Sequence, residues 1–459
     1  MRTRRFAGLS VTAYDPAYQE TGLDFGLNDR LDFEGVVLGN SSTAMRAGPL
    51  WRSLPRLALT RGDGLAALRR HYARNHVYVF PEHRDHDPER GDMLPANTPY
   101  YLLSQGSSGS DRPLLDAVAT VLAALRPETK AFLAEHGLIA PTVQTVLRRA
   151  LAGDGGPAAY LAGAAHPTVF EGRDFDPMRL IALAQEITPE RAPPLAEIAM
   201  AVEAVDGPPA DSLADLEAER LFDTLAAVAR VAIGPGLRRR YVLQARGRTA
   251  DGAAARIRWA VLRGEGVTVE PFDDGERAVV DVPWQTPTPT PRTPDVLSSR
   301  VDVAAFAEGA GGLGAPAFFS VLCPQDRIVE TDAAGRLLAT DWSRTPEGVT
   351  IDPALSPWRR WRDRYAYDDT GALVGWTRTL VGRDGEDGRS FEHCRHGHRV
   401  LSRDPFGRPD RVAPTEVSFV GDQRRQGRRQ VVEQQTDRVL RYAYAGPGDS
   451  QGVLSEAVD

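Results

Sequence analysis

Residues 78–111 read YVFPEHRDHDPERGDMLPANTPYYLLSQGSSGSD, and no other stretch of the chain is so dense in groups that do chemistry. His83, Asp85, His86, Asp87, Glu89 and Asp92 fall within ten residues. Imidazole and carboxylate are ligands for zinc, manganese or iron, and on an extended stretch His83, Asp85 and Asp87 face one way. His83, Asp85, His86 and Asp87 are therefore candidate ligands of a divalent metal, the one cofactor these residues suggest. One dense cluster does not close a coordination sphere by itself, and this one has neither HxH nor HExxH spacing. Two other readings stand beside it: acid–base catalysis through His83 or His86, and a solvated loop whose histidines bond carboxylates and backbone.

The same stretch ends in Ser104-Gln-Gly-Ser-Ser-Gly-Ser-Asp111. A glycine-rich loop between a strand and a helix N-terminus offers free backbone N–H groups to an anion or an oxyanion. Ser107, Ser108 or Ser110 held there becomes a nucleophile if a histidine stands near. The motif is not GxSxG, because Gly106 and Gly109 flank two serines, and it is not GxGxxG. The alternative is a tight strand-to-helix turn capped by serine and aspartate.

Two further features lie downstream. AHPTVFEG, residues 165–172, would bring His166 and Glu171 to the first two features, unless His166 is a satisfied core histidine. In Cys394-Arg-His396-Gly-His398 the three ligand types alternate onto one face if the segment is a strand. That suggests copper or zinc, yet three successive same-face residues span too much length to bind one ion comfortably. A solvated strand face is the simpler reading.

The elements that position these groups follow from periodicity and turn residues. Residues 1–60 read as loop-rich, with Asn40-Ser41-Ser42 and Ala47-Gly48-Pro49 as turn signals. A helix is predicted over 64–74, a strand over 76–80 and a second strand over 99–105. Ser110 or Asp111 then caps a helix carrying Pro113 in its first turn. Further helices are predicted over 127–136, 141–151, 177–187, 194–205 and 212–231, the first three each opened by a proline. Residues 1–232 thus read as a mostly helical, mixed α/β domain.

After Gly234-Pro235-Gly236 the pattern changes to period two: YVLQA, IRWAVL, VTV, AVVDV, VDVAAFA and FFSVL. Six short strands within residues 237–323 predict an antiparallel β-sandwich, with the TPTPTPRTP run as a loop crossing it. In residues 324–450, Asp332-Ala-Ala-Gly335 recurs as Asp368-Asp-Thr-Gly371 and Asp404-Pro-Phe-Gly407, 36 residues apart each time. Asp at the first and Gly at the fourth position is the mark of a type I turn closed by a left-handed glycine, so hairpins in a β-meander are predicted. The whole is an α+β multidomain chain.

The phrase 241–259, strand, Asp-Gly turn, strand with Trp259, resembles the PKD and related immunoglobulin-like modules of bacterial surface proteins, though it lacks an aspartate-rich turn after the first strand. The resemblance implies a spacer or adhesion module, often attached to extracellular hydrolases. The three Asp–Gly turns resemble the tyrosine-aspartate (YD/RHS-type) repeats of large bacterial β-shells, at a longer period; no catalytic residue carries over. YVFPEHRDHDP, SQGSSGSDRP and AHPTVFEG are similar to phrases in secreted bacterial proteins of undetermined activity, which implies an extracytoplasmic location and supplies no reaction.

At 459 residues the chain exceeds what one core supports. With 42% hydrophobic and 25% charged residues it has the composition of a globular protein, and a net charge of −7 argues against a nucleic-acid partner. No apolar run approaches the length of a transmembrane helix, and Tyr14, Asp15 and Gln19 interrupt any signal-peptide core after the basic start. Lys130 is the only lysine among 55 basic side chains and lies in a helical phrase, which excludes a Walker A loop and a pyridoxal-phosphate Schiff base. Cys323 and Cys394 could pair, but two cysteines make no disulfide framework.

Two functions remain. One is an extracytoplasmic hydrolase of an ester or glycan-linked substrate, with Ser107, Ser108, Ser110 or a metal-bound water attacking and His83, His86 or His166 as base. The other is a non-enzymatic cell-surface or envelope binding protein whose β-modules serve as spacer and contact surface.

Overall fold

The computed structural model describes residues 112–456 except 168, 207–218, 290–296, 348–356 and 422–428, and before them the strands named below. The chain folds as two compact units: Met1–Glu203 with Arg220–Arg230 and Arg240–Leu322, and Ala204–Glu219 with Val231–Arg239 and Cys323–Asp459. The described residues are β-rich, and their sheets are largely antiparallel.

The first unit opens with a mixed sheet of β1 (Leu9–Thr12), β2 (Leu27–Phe33), β3 (Val36–Ser41), β4 (His76–Glu82) and β5 (Leu102–Gln105), in that order across the sheet. The first three strands pair antiparallel; β3 with β4 and β4 with β5 pair parallel. Ala44–Ala47 and Leu50–Ser53 form a separate hairpin. The expected loop-rich start is therefore corrected: of its turn signals, Asn40 and Ser41 belong to β3 and Ala47 ends the first strand of that hairpin. The helix expected over 64–74 lies outside the described residues.

Five helices follow: α1 (Arg112–Ala124), α2 (Pro127–Glu135), α3 (Ile139–Ala152), α4 (Gly156–Tyr160) and α5 (Pro177–Gln185). Proline stands in the first turn of α2 and α5, where its missing N–H costs nothing. At α5 the Asp176 carboxylate also accepts the Met178 N–H at 3.0 Å.

The helix expected over 194–205 and residues 220–231 of the one expected over 212–231 are contradicted, and with them the mostly helical N-terminal domain; residues 212–218 lie outside the described residues. Leu195–Asp206 is a strand, β6, and Arg220–Asp223 and Ala227–Val231 are strands β7 and β8. Alanine and glutamate give the β6 segment a helical composition, but Ala196, Ile198, Met200 and Val202 share one face of a strand. Ala196 and Ile198 are buried there, so tertiary packing overrides helix propensity.

All six strands expected after Gly236 are present: β9 (Arg238–Arg248), β10 (Ala254–Arg263), β11 (Thr268–Phe272), β12 (Arg277–Pro283), β13 (Arg300–Gly309) and β14 (Ala317–Leu322). One layer holds β6, β9, β12 and β11; the other holds β10, β13, β14, β8 and β7. They join where Gly247 and Arg248 of β9 pair Ala255 and Ala254 of β10. Across the layers the Tyr241 and Phe319 rings meet at 4.8 Å. Residues 300–307 of β13 are buried without alternation, because the helices cover their outer face: Phe306 packs on Tyr160 at 5.8 Å. In the TPTPTPRTP run, Thr288 and Pro289 pair Ser298 and Leu297.

The second unit is an antiparallel nine-stranded sheet: β15 (Ile328–Thr331), β16 (Leu337–Asp341), β17 (Trp361–Tyr367), β18 (Leu373–Val381), β19 (Asp387–Cys394), β20 (Arg399–Arg403), β21 (Pro409–Ala413), β22 (Leu440–Ala443) and β23 (Val453–Glu456). Pro357–Trp358, Arg429–Gln435 and Thr415–Gly421 form a smaller sheet. The three Asp–Gly turns are hairpins: Gly335, Gly371 and Gly407 have φ of 79°, 83° and 77°, and each donates its N–H to the aspartate carbonyl. Each aspartate Oδ1 accepts two further N–H groups of its turn. The same backbone turn recurs at Gly382–Glu386 and Cys394–His398 without the aspartate, so the 36-residue spacing is not the hairpin period.

Among the described residues no helix is long and apolar enough to cross a membrane.

Candidate functional site

β4 and β5 are short runs of apolar residues with Val77, Val79, Leu102 and Leu103 buried, as suits parallel strands covered on both faces. They pair in register, Val79 with Leu102, Phe80 with Leu103, Pro81 with Ser104 and Glu82 with Gln105. β3 pairs only as far as Val79, so Pro81, which has no N–H to give, lies beyond that neighbour. The two strands therefore end side by side at Glu82 and Gln105, and the next residues in sequence are His83 and Gly106.

A third segment joins them. Phe170 donates its N–H to the Leu103 carbonyl at 2.8 Å and bridges Ser104 in parallel. Glu171 thus leaves the sheet in the same direction as Gln105. Gly172 then presses on the start of α1: a Cβ there would fall 2.1 Å from the Leu114 nitrogen. Only glycine allows that approach. The Ser104 hydroxyl is buried and has no hydrogen-bond partner among the described residues. The chain therefore enters the first two sequence features where β4 and β5 end, and Glu171 of the third follows the bridge at Phe170; open α/β sheets place ligand sites at this edge.

His166 is engaged elsewhere. It is 6% exposed, its Nε2 donates to the Tyr160 carbonyl, and Arg148 Nη1 lies 3.2 Å from Nδ1. The arginine can only donate, so the imidazole is neutral with its proton on Nε2. Burial, and then the Arg148 charge, hold its pKa well below the usual value. Arg148 is itself pushed down to about 10 by burial, with Phe170 and Phe318 rings 5.4 and 5.3 Å from its guanidinium. With both nitrogens occupied, His166 is a core group linking α3, α4 and β13 rather than a base.

The remaining candidates, Ser107, Ser108, Ser110, His83, Asp85 and the side chains of His86 and Asp87, lie outside the described residues. The backbone of His86–Asp87 is described and pairs antiparallel with Gly91–Asp92, His86 opposite Asp92. Among the described residues no group of three or more His, Cys, Asp or Glu is placed to hold a metal.

The Cys394–His398 expectation is corrected. β19 ends at Cys394, and Gly397 at φ 84° closes a turn, so the three residues do not share a strand face. Cys394 and His396 both meet Tyr442, whose hydroxyl lies 3.3 Å from Sγ and also bonds His396 Nδ1. Burial, then the neighbouring Arg395 charge, lowers the His396 pKa. Cys323 and Cys394 are both buried and free.

The sequence does hint at the Arg148 core: α3 carries Thr142, Gln144, Thr145 and Arg148 among its apolar residues, and all four are fully buried. A helix polar on several faces between two proline-opened neighbours is the available signal. No protein-family model matches this chain, and no curated protein matches it.

Proposed function

We propose that this protein is an extracytoplasmic hydrolase of an ester or glycan-linked substrate, with its active site at the carboxyl edge of β4, β5 and the segment bridged at Phe170. The observation that carries this reading is the parallel register that ends β4 and β5 together, one residue before His83 and Gly106. The likeness of these phrases to secreted proteins supports the location.

In this reading one of Ser107, Ser108 and Ser110 attacks the acyl carbon through Oγ, and His83 or His86 takes the hydroxyl proton. The backbone N–H groups of 106–111 and the N-terminal end of the 13-residue α1 stabilise the oxyanion. The histidine returns its proton to the leaving alkoxide, and water reverses the sequence to free the acid. Glu171 stands at the same edge to orient the base. Where a divalent metal binds, His83, Asp85, His86 and Asp87 form a nitrogen and oxygen donor set suited to zinc or manganese, which would supply an activated water.

The test is an ester, phosphoester and glycan-ester screen of the full chain, with Ser107→Ala, Ser108→Ala, Ser110→Ala, His83→Ala and His86→Ala. One serine and one histidine substitution should each lower kcat/KM roughly a thousandfold without changing stability. A flat response to the whole panel overturns the hydrolase and leaves the surface-binding reading.

A further inference from the structure

The sandwich holds a groove of about 770 Å³ that the proposed hydrolase does not use, within the range of roughly 300–1,000 Å³ usual for ligand sites. Residues 254–259 of β10 form one wall, and Pro271 of β11 with Asp274, Gly275 and Glu276 of the β11–β12 connection form the other.

The strand edge in this groove is closed to a pairing peptide. A Cβ on Gly275 would lie 3.0 Å from the Ile257 carbonyl oxygen, so the turn rests on that edge. The Gly275 carbonyl also accepts the Trp259 Nε1–H at 2.7 Å, which pins a partly exposed indole in the groove wall. What the groove offers a ligand is therefore side chains.

Their chemistry is specific. Asp274 and Glu276 are exposed and form no ion pair or side-chain hydrogen bond among the described residues, whereas Arg256 and Arg258 leave β10 on the face opposite Trp259, Arg258 toward Glu308 at 2.8 Å. The turn that presents the carboxylates is held in a costly conformation: Asp273 and Asp274 have φ of 51° and 54° without being glycine. Such strain persists where the surroundings fix it, and it gathers at ligand sites.

We propose that this groove binds a glycan chain. The apolar C–H face of a pyranose packs on the fixed indole of Trp259, while the Asp274 and Glu276 side chains hydrogen-bond its hydroxyls. The site lies on the sandwich and stands or falls apart from the hydrolase reading.

Calorimetric titration of the full chain with cellohexaose and with hexa-N-acetyl-chitohexaose tests it. At least one should bind, and Trp259→Ala should weaken it roughly tenfold or more. Glu276→Gln and Asp274→Asn should each weaken binding several-fold with unchanged melting temperature, and they decide the matter if Trp259→Ala fails to fold. No heat from either sugar at ~5 mM overturns the proposal, as does binding that all three substitutions leave untouched. Turnover of small soluble esters reports on the other site, so the two readings fail separately.

Discussion

Ser104 and Phe170 form a single parallel β-bridge, which sets Phe170 beside β5. The bridge joins segments 66 residues apart in sequence and sets Glu171 beside the end of the strand that leads to Gly106.

Gly172 makes this arrangement possible. An alanine there would put its Cβ 2.1 Å from the Leu114 nitrogen and 2.2 Å from the Pro113 carbonyl carbon, both backbone atoms that cannot rotate away. Gly172→Ala should cost about 1–3 kcal/mol in urea denaturation as the 169–172 segment lifts off α1. A variant as stable as the parent would show that the contact is not tight in solution.

His166 gives the first unit a pH dependence. The folded state keeps the imidazole neutral by burial and by the Arg148 charge, while the unfolded chain takes a proton below about pH 6.5. Below that pH the unfolded state binds more protons, so stability falls as pH falls, by up to about 1.4 kcal/mol per pH unit for one group. His166→Gln can still donate to the Tyr160 carbonyl and accept from Arg148, but it does not titrate. The stability difference between parent and variant should therefore shrink from about pH 7 to pH 5; a constant difference would show that folding leaves the His166 pKa unshifted.

What the sequence revealed depended on how local the cause was. Pro127 and Pro177 mark helix starts because proline acts on its own backbone, and the six sandwich strands show as alternation because one face of each is buried. β4 and β5 are legible singly, yet their parallel adjacency is a non-local pairing that no window of residues contains. β6 was hidden by alanine and glutamate, whose helical preference is weaker than the burial of Ile198. The His166–Arg148 contact spans 18 residues and two helices, so neither residue announces the other. At Cys394–His398 the sequence carries the signal: Gly397 stands where Gly335, Gly371 and Gly407 stand in their turns.

Those turns isolate the cost of a left-handed residue. Gly335 has φ 79°, and a Cβ added to it would meet no atom within 4 Å, so Gly335→Ala adds backbone strain without a clash. It should cost about 1–2 kcal/mol, and Gly335→Asn less, because asparagine tolerates this region better. Equal losses in chemical denaturation would point to a contact made by the side chain instead.

Arg378 is one of the buried arginines of the second unit. Its Nε and Nη2 each lie 2.8 Å from the Asp363 carboxylate, and Nη1 lies 3.0 Å from Glu433. Both Arg378 and Asp363 are 2% exposed, and the guanidinium sits 4.3 Å from the Trp361 ring centroid. Arg378→Met keeps much of the stem's packing on Trp361 but takes this guanidinium from two buried carboxylates, leaving Glu433 with the longer Arg399 contact at 3.9 Å. It should destabilise the unit by about 3–5 kcal/mol, read as a lower denaturation midpoint at unchanged slope. Adding Asp363→Leu removes the stranded charge, so the double variant should be more stable than Arg378→Met alone. If the double variant were instead the less stable, the cost would lie in lost packing on Trp361 rather than in an uncompensated buried carboxylate.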